Sequence, residues 1–233
     1  MSLFSLFSDM KKPYLLIITV ILCLVLTGSM SLAKDSDAET IEADKQAAKK
    51  KLDDAKAHFN LGVSYLKSGM YKEAIEALKQ AIKIDPDDAK AHKTLGYVYF
   101  NLHMYKEAIE SLKQIMKIKP DATAHYNLGF VYGKAGMYKE AIEVYKRAVF
   151  INPEYINAYN NLGNAYGELG MYKEAVEVLK VAIKRDPDHA MSYYNLGLVY
   201  NLSNDKDSAL EQYEILINLV PELADKLFRL IKK

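Results

Sequence analysis

The sequence predicts an all-α fold: a solenoid of five stacked helix-turn-helix copies closed by one further helix. Three observations carry this. Glycines recur at Gly62, Gly96, Gly129, Gly163 and Gly197, at spacings of 34, 33, 34 and 34 residues. Each keeps the same company: a leucine just before (Leu61, Leu95, Leu128, Leu162, Leu196) and a tyrosine three residues after (Tyr65, Tyr99, Tyr132, Tyr166, Tyr200). An alanine follows twelve residues on (Ala74, Ala108, Ala141, Ala175, Ala209) and a proline twelve beyond that (Pro86, Pro120, Pro153, Pro187, Pro221). Within each period, apolar residues fall at helical spacing on both sides of a turn signal, the mark of a unit that buries its apolar face only by stacking on its neighbours.

Position 1 is set seven residues before each glycine, which gives copies 55–88, 89–121, 122–155, 156–189 and 190–223. In the first helix, positions 3, 7, 10 and 11 form a stripe (Ala57, Leu61, Ser64, Tyr65 in copy one). Position 15 closes it with Gly69, Gly136 or Gly170, where a left-handed residue suits a helix end. His103 and Asn204 stand there in copies two and five; asparagine tolerates that conformation, histidine less well. The second helix carries its own stripe, Tyr71, Ala74, Ile75, Leu78, Ala81 and Ile82. The proline stops it, because the residue before a proline is driven out of helical geometry. Glycine at position 8 and alanine at position 20 let the two helices of a copy approach closely. Residues 224–233 set Leu227, Phe228, Leu230 and Ile231 against Asp225, Lys226, Arg229 and Lys232, an amphipathic helix placed to cap copy five. Residues 34–54 hold only Ile41 and Leu52 as large apolar groups and read as a charged linker, with a solvated helix through Ala47-Ala48 open, so copy one is expected to lack a clear cap.

The leucine-glycine, tyrosine, alanine and proline order at this period resembles the tetratricopeptide repeat (TPR) family, over 55–223. The resemblance implies a right-handed α-solenoid whose first helices line a concave groove where extended peptides lie. It also implies an interaction module in place of an enzyme.

The first 33 residues read as an address. Lys11 and Lys12 precede the apolar run Tyr14–Leu26, and Ser31-Leu32-Ala33 has the form of a signal-peptidase site. The run is short for a membrane span of about 20 residues, yet Tyr14 to Ala33 carries no charge, so a cleaved signal and a retained anchor both stay open. Either places the repeats outside the cytoplasm, by signal-peptide logic. The lysines at 45 and 49–51 would argue the opposite topology for an anchor. Cys23, the only cysteine, lies in this stretch. The chain has 31 basic and 30 acidic residues, and removing residues 1–33, with two lysines and one aspartate, leaves 29 against 29. A neutral chain has no global field for nucleic acid or an anionic membrane surface, so membrane contact is expected only through the N-terminal segment.

The candidate site is the unpacked side of the first helices, at positions 2, 5, 6, 9, 12 and 13. Position 6 reads Asn60, Thr94, Asn127, Asn161 and Asn195. A carboxamide donates to a peptide carbonyl and accepts from a peptide N–H, so such a ladder can hold a backbone without reading its sequence. It resembles the asparagine ladder in the repeat superhelix of some glycosyltransferases. Position 5 adds Lys93, Tyr126, Asn160 and Tyr194 beside Phe59. Position 9 adds Tyr97, Phe130 and Asn164 beside Val63 and Leu198, and Asn157 joins from position 2. Aromatic pockets beside polar rungs suit a peptide with spaced apolar side chains. Some co-chaperones of the family clamp a C-terminal carboxylate on this face. Lys93 matches one such place, but Asn157 and Asn161 stand where the basic pair should be, which argues against that mode.

Other rows carry less chemistry. His58, His92 and His125 share position 4 with Tyr159 and Tyr193. Equivalent residues on successive hairpins stand on the order of 10 Å apart, too far for one metal with bonds near 2 Å, so the rings are expected to pack. Met70, Met104, Met137 and Met171 at position 16 read as copies of one ancestral repeat. The lysine–glutamate pairs around Lys72-Glu73 read as a solvated face. No catalytic constellation, metal cluster, phosphate loop or cofactor motif is present in the sequence. The expected function is to bind a protein or peptide partner as a scaffold or assembly factor of an envelope complex. Self-association by packing of repeat edges, giving a homo-oligomer, is the alternative.

Overall fold

The computed structural model describes residues 36–232. It holds twelve α-helices and no strand among the described residues. They are α1 (36–50), α2 (Ala55–Lys67), α3 (Tyr71–Ile84), α4 (Ala89–Asn101), α5 (Tyr105–Ile118), α6 (Ala122–Lys134), α7 (Tyr138–Ile151), α8 (Ile156–Glu168), α9 (Tyr172–Arg185), α10 (Ala190–Leu202), α11 (Lys206–Leu219) and α12 (Pro221–Ile231). From α2 to α11 they pair as five helix-turn-helix copies, the all-α solenoid repeat that the period predicts. The helices fall into two compact units, 36–86 and 87–232. The address read in residues 1–33 lies outside the described residues. No described helix is long and apolar enough to cross a membrane.

Local chemistry sets the helix ends. Asp54, Asp88 and Asp121 are N-caps whose carboxylates accept from the backbone N–H of Ala57, Ala91 and Ala124 at 3.2, 3.2 and 2.8 Å. The bond from Ala57 is the main cause of a lowered Asp54 pKa. Position 15 is left-handed in every copy: φ is 72°, 74° and 71° at the glycines, 57° at His103 and 65° at Asn204. The methionine after this residue then sends its N–H back to the carbonyl of the position-11 tyrosine (Met104 to Tyr99, Met137 to Tyr132, each 2.9 Å), which satisfies an otherwise orphaned helix-end carbonyl. The methionine row thus marks the N-cap of each second helix of copies one to four.

Packing follows the two stripes. The position-20 alanines are completely buried in all five copies. In copies one to four the position-8 glycines face the position-24 side chain across the hairpin. A Cβ built on Gly129 would lie 2.7 Å from a Tyr145 ring carbon, and one on Gly163 2.5 Å from Leu179 Cγ. The close approach expected of this glycine is therefore against position 24. In copy five the blocking group is Leu227 of α12, with Gln212 beside it.

The ends of the array are covered. Leu227 is fully buried, and Ala224 and Ile231 nearly so, in a cluster with Tyr193, Ala209 and Leu216. The cap begins at Pro221, three residues before the boundary of 224, because proline at the first helical position has no N–H to leave unpaired. In the N-terminal unit, the stretch 34–54 expected as a linker contains α1. Ile41 and Ala48 are buried, Asp44 accepts from Ser64 Oγ at 2.6 Å, and Lys45 Nζ stands 5.8 Å from the Tyr65 ring centre. Ser64 and Tyr65 are positions 10 and 11, the stripe of α2. Copy one is therefore covered, by one isoleucine, a small alanine and polar contacts in place of a row of large apolar groups.

Candidate functional site

The first helices α4, α6, α8 and α10 leave positions 2, 5, 6, 9, 12 and 13 outside the core stripes. Lys93, Tyr97, Asn157 and Asn164 are exposed, and Asn127 is half-buried. In the N-terminal unit Asn60 is exposed on α2. Among the described residues none of the carboxamides of Asn60, Asn127, Asn157 or Asn164 is hydrogen-bonded, so each keeps its donors and acceptor for another molecule.

One rung of the expected ladder, Asn195, and the position-5 candidate Asn160 are spent on each other. Asn195 Nδ2 donates to Asn160 Oδ1 at 3.1 Å, and both residues are buried. The bond joins α8 to α10 and satisfies two amides that the interior would otherwise penalise. Asn160 and Asn195 are therefore a clasp between neighbouring first helices. Asn161 gives one of its two N–H donors to Tyr126 Oη at 3.3 Å and also bears on the Tyr145 phenol, while its carbonyl has no donor among the described residues. Tyr194 is partly buried against the C-terminal core.

The aromatic candidates join a cluster larger than the sequence suggested. Tyr126 lies 4.8 Å from Tyr155, 6.0 Å from Tyr145 and 6.5 Å from Phe130, centre to centre, and Phe130 lies 5.4 Å from Phe100. These separations are within the range of favourable ring contacts. Burial raises the phenol pKa of Tyr145, Tyr126 and Tyr155, and the neighbouring phenols add to it for Tyr145 and Tyr155. Lys134 Nζ stands 5.5 Å from the Phe130 ring centre.

Beside this cluster, between α6, α7 and α8, opens a cleft of about 300 Å³. Phe130, Tyr138 and Tyr145 supply rings, Asn161 and Asn164 supply amides, and Lys134 and Glu168 supply opposite charges. Burial and the Glu168 carboxylate raise the Tyr138 pKa. Gly133 and Ala165 complete the lining. Tyr138, Tyr145, Gly133 and Glu168 were not picked out in the sequence. A signal existed in comparing copies column by column: position 24 is leucine in copies one, two and four but Tyr145 in copy three, and position 12 is Leu66, then Phe100, then Gly133.

The histidines pack as expected. His92 and His125 are buried, His125 Nδ1 bonds the Asp121 carbonyl oxygen at 2.9 Å, and His58 Nε2 bonds that of Leu52 at 3.2 Å. Among the described residues no cluster of three potential metal ligands occurs.

Comparison with known proteins sets this geometry in context. Tetratricopeptide repeat models match residues 55–88, 77–110 and 191–222, and a TPR repeat model matches 134–170 and 163–203. No curated protein matches the chain. Among solved structures, YrrB, described as a TPR protein with an unusual peptide-binding site, is 26% identical, covers 81% of this chain and 99% of its own, and has a TM-score of 0.66. A MamA protein is 27% identical over 73% of this chain and 94% of its own, with a TM-score of 0.66. MamA 41-end from Desulfovibrio magneticus RS-1 is 26% identical over 72% and 96%, with the same score.

Proposed function

Since the chain is built of tetratricopeptide repeats, whose members act as protein-interaction modules, we propose that it holds an extended segment of a protein partner along α4, α6 and α8. The observation that carries this is the set of unspent polar groups on one face, Asn127, Asn157, Asn164 and the Asn161 carbonyl, beside exposed Tyr97 and Lys93. A groove with free amide donors and acceptors pays little desolvation when a peptide backbone replaces water. The peptide-binding site named for YrrB lies on a protein of the same repeat. The work is that of a scaffold; the fold is generally non-enzymatic.

We place this scaffold outside the cytoplasm, in assembly of an envelope complex, from Lys11, Lys12, the run Tyr14–Leu26 and the Ala33 site. N-terminal sequencing of the protein from its native cells tests the address: a mature chain starting at Lys34 means cleavage, and an intact one recovered with membranes means an anchor. For the groove, a photocrosslinking residue is placed at Tyr97, Asn127 or Asn164, with Lys113 and Lys180 on second helices as controls. Adducts are expected at the first-helix positions. Adducts confined to the controls would remove the groove reading.

One observation favours self-association as a second reading. Phe150 is 78% exposed and adjoins Ile151 at 45%, where other copies place Lys83, Lys117 and Lys184. Sedimentation of wild type against Phe150→Lys distinguishes it: a dimer lost in the variant supports this reading, and a concentration-independent monomer dismisses it.

A further inference from the structure

We infer that the cleft between α6, α7 and α8 is an anchor pocket that takes one aromatic side chain with a donor at its tip, tyrosine or tryptophan, from the partner segment. The inference rests on the groove reading and names what the groove selects.

The cleft exists because copy three departs from copies one and two at position 12. Copies one and two place Leu66 and Phe100 there. Gly133 places nothing, and the nearest atom to a Cβ built on it would be Tyr145 Oη, at 4.0 Å. Copy four also has glycine, but a Cβ on Gly167 would already lie 3.2 Å from Val199 Cγ2. Gly167 is therefore a packing glycine and Gly133 an opening. The resulting space, about 300 Å³, is large enough for one big planar side chain.

Its walls fix the class. Phe130, Tyr138 and Tyr145 offer ring faces and edges, which favour an aromatic guest through stacked or edge-on contact. The two charges, Lys134 and Glu168, are opposite in sign, so the cleft has no net charge to compensate an ionic side chain. Lys134 already stands over Phe130, so a guest cation would meet a like charge. A purely aliphatic guest would cover the Asn161 carbonyl and the Glu168 carboxylate without bonding them, which costs affinity. The Asn161 amide nitrogen gives one N–H to Tyr126 Oη and also bears on the Tyr145 phenol, while its carbonyl oxygen has no hydrogen-bond donor among the described residues and is the acceptor left to a guest. A phenol O–H or indole N–H answers that acceptor.

The chain's composition provides a clean assay. It has no tryptophan and 18 tyrosines, so N-acetyl-L-tryptophanamide, excited where tyrosine does not absorb, reports only on itself. Added to the full-length chain it should shift its emission to the blue and saturate, in the millimolar range usual for a fragment of that size. N-acetyl-L-tyrosinamide should compete at least about tenfold better than the leucine or arginine analogue, and better than the phenylalanine analogue, which lacks the donor. Gly133→Leu, restoring the side chain of copy one, should weaken probe binding by at least about tenfold. Asn164→Phe fills the same space from an exposed position and gives a second variant that leaves the helix packing alone. The inference is overturned if the probe shows no saturable binding. It is also overturned if both variants bind the probe as wild type does, or if leucine or arginine amides compete as well as tyrosinamide. Failure of the groove reading is distinct from these: partner adducts at Tyr97 and Asn127 would be missing, whatever the probe does.

Discussion

Tyr145 shows how one residue exchange changes a repeat. At position 24 most copies place leucine against the glycine of the facing helix; here a phenol fills that place and reaches on toward Asn161 and Tyr126. Its folded pKa is raised by burial, as are those of Tyr126 and Tyr155. The sign follows directly. A phenol held protonated by the fold gives its full stabilisation below the unfolded pKa of about 10 and loses it as pH rises from there toward the folded value. Ellipticity should therefore fall from about pH 10 upward, and Tyr145→Phe should move that loss to higher pH with little change near neutrality. An alkaline limb unchanged in the variant would show that this phenol does not set it. The position-8 glycines offer a graded test at the same scale. Alanine in place of helical glycine gains about 1 kcal/mol of helix propensity, while overpacking costs about 1–3 kcal/mol. A Cβ on Gly96 would stand 3.2 Å from Leu112 Cγ, a small shift away from ordinary contact; on Gly163 it would stand 2.5 Å from Leu179 Cγ. Denaturant titrations should find Gly96→Ala near neutral and Gly163→Ala clearly destabilised, and the reverse order would show that the leucines yield freely.

At the scale of the element, the two end helices reach the same result by different chemistry. The C-terminal helix α12 uses large apolar groups: Leu227 fills the space above Gly197, Ile231 is buried, and Phe228 stacks on Tyr213 at 4.8 Å between ring centres. Burying each such side chain is worth roughly 1.5–3 kcal/mol, as an upper range. A chain ending at Val220 should therefore expose Tyr193, Leu216 and their neighbours, aggregate, and lose amide protection first in α10 and α11. Unchanged solubility and protection there would mean α12 is not a cap. This helix was legible in the sequence because Leu227, Phe228 and Ile231 share one face. The N-terminal helix α1 was legible only as a solvated helix and not as a cap, since it buries one isoleucine and one alanine and completes its contact with Asp44, which bonds Ser64. A pattern search keyed to large apolar groups passes over such a helix, although alanine is as able as leucine to fill a shallow contact. The same reason hid the cleft. The face was identified by helical spacing, but its opening comes from a side chain that is missing at Gly133, and its floor from a second-helix residue, Tyr145, outside that face. The pairing of the ladder rung Asn195 with Asn160 of position 5 was hidden for a related reason: spacing along one helix says nothing of which neighbour stands opposite, and there each amide faces the other.

For the molecule as a whole, the period itself carried nearly all of the fold, because every copy repeats one solution to burying two stripes, and five copies restate it independently. Such arrays are held by intrinsic copy stability plus coupling to nearest neighbours, so damage at one copy is felt beyond it. The unit 87–232 provides the test. Ala141, completely buried, lies on α7, which packs against both α6 and α8. Leucine there adds three carbons where there is no free volume, at a cost of about 1–3 kcal/mol. If the copies were rigidly two-state together, the thermal transition would move without changing shape. With nearest-neighbour coupling, copy three loosens first and draws α8 with it, while the cluster around Leu216 and Leu227 keeps α10 to α12 folded. The melt of Ala141→Leu should thus be both lower and broader than that of wild type. Hydrogen exchange should locate the early loss in residues 122–168, with 209–231 still protected. A transition superimposable on wild type would mean that this position accommodates a leucine, and a shifted but equally steep one would mean that the unit melts as a single block.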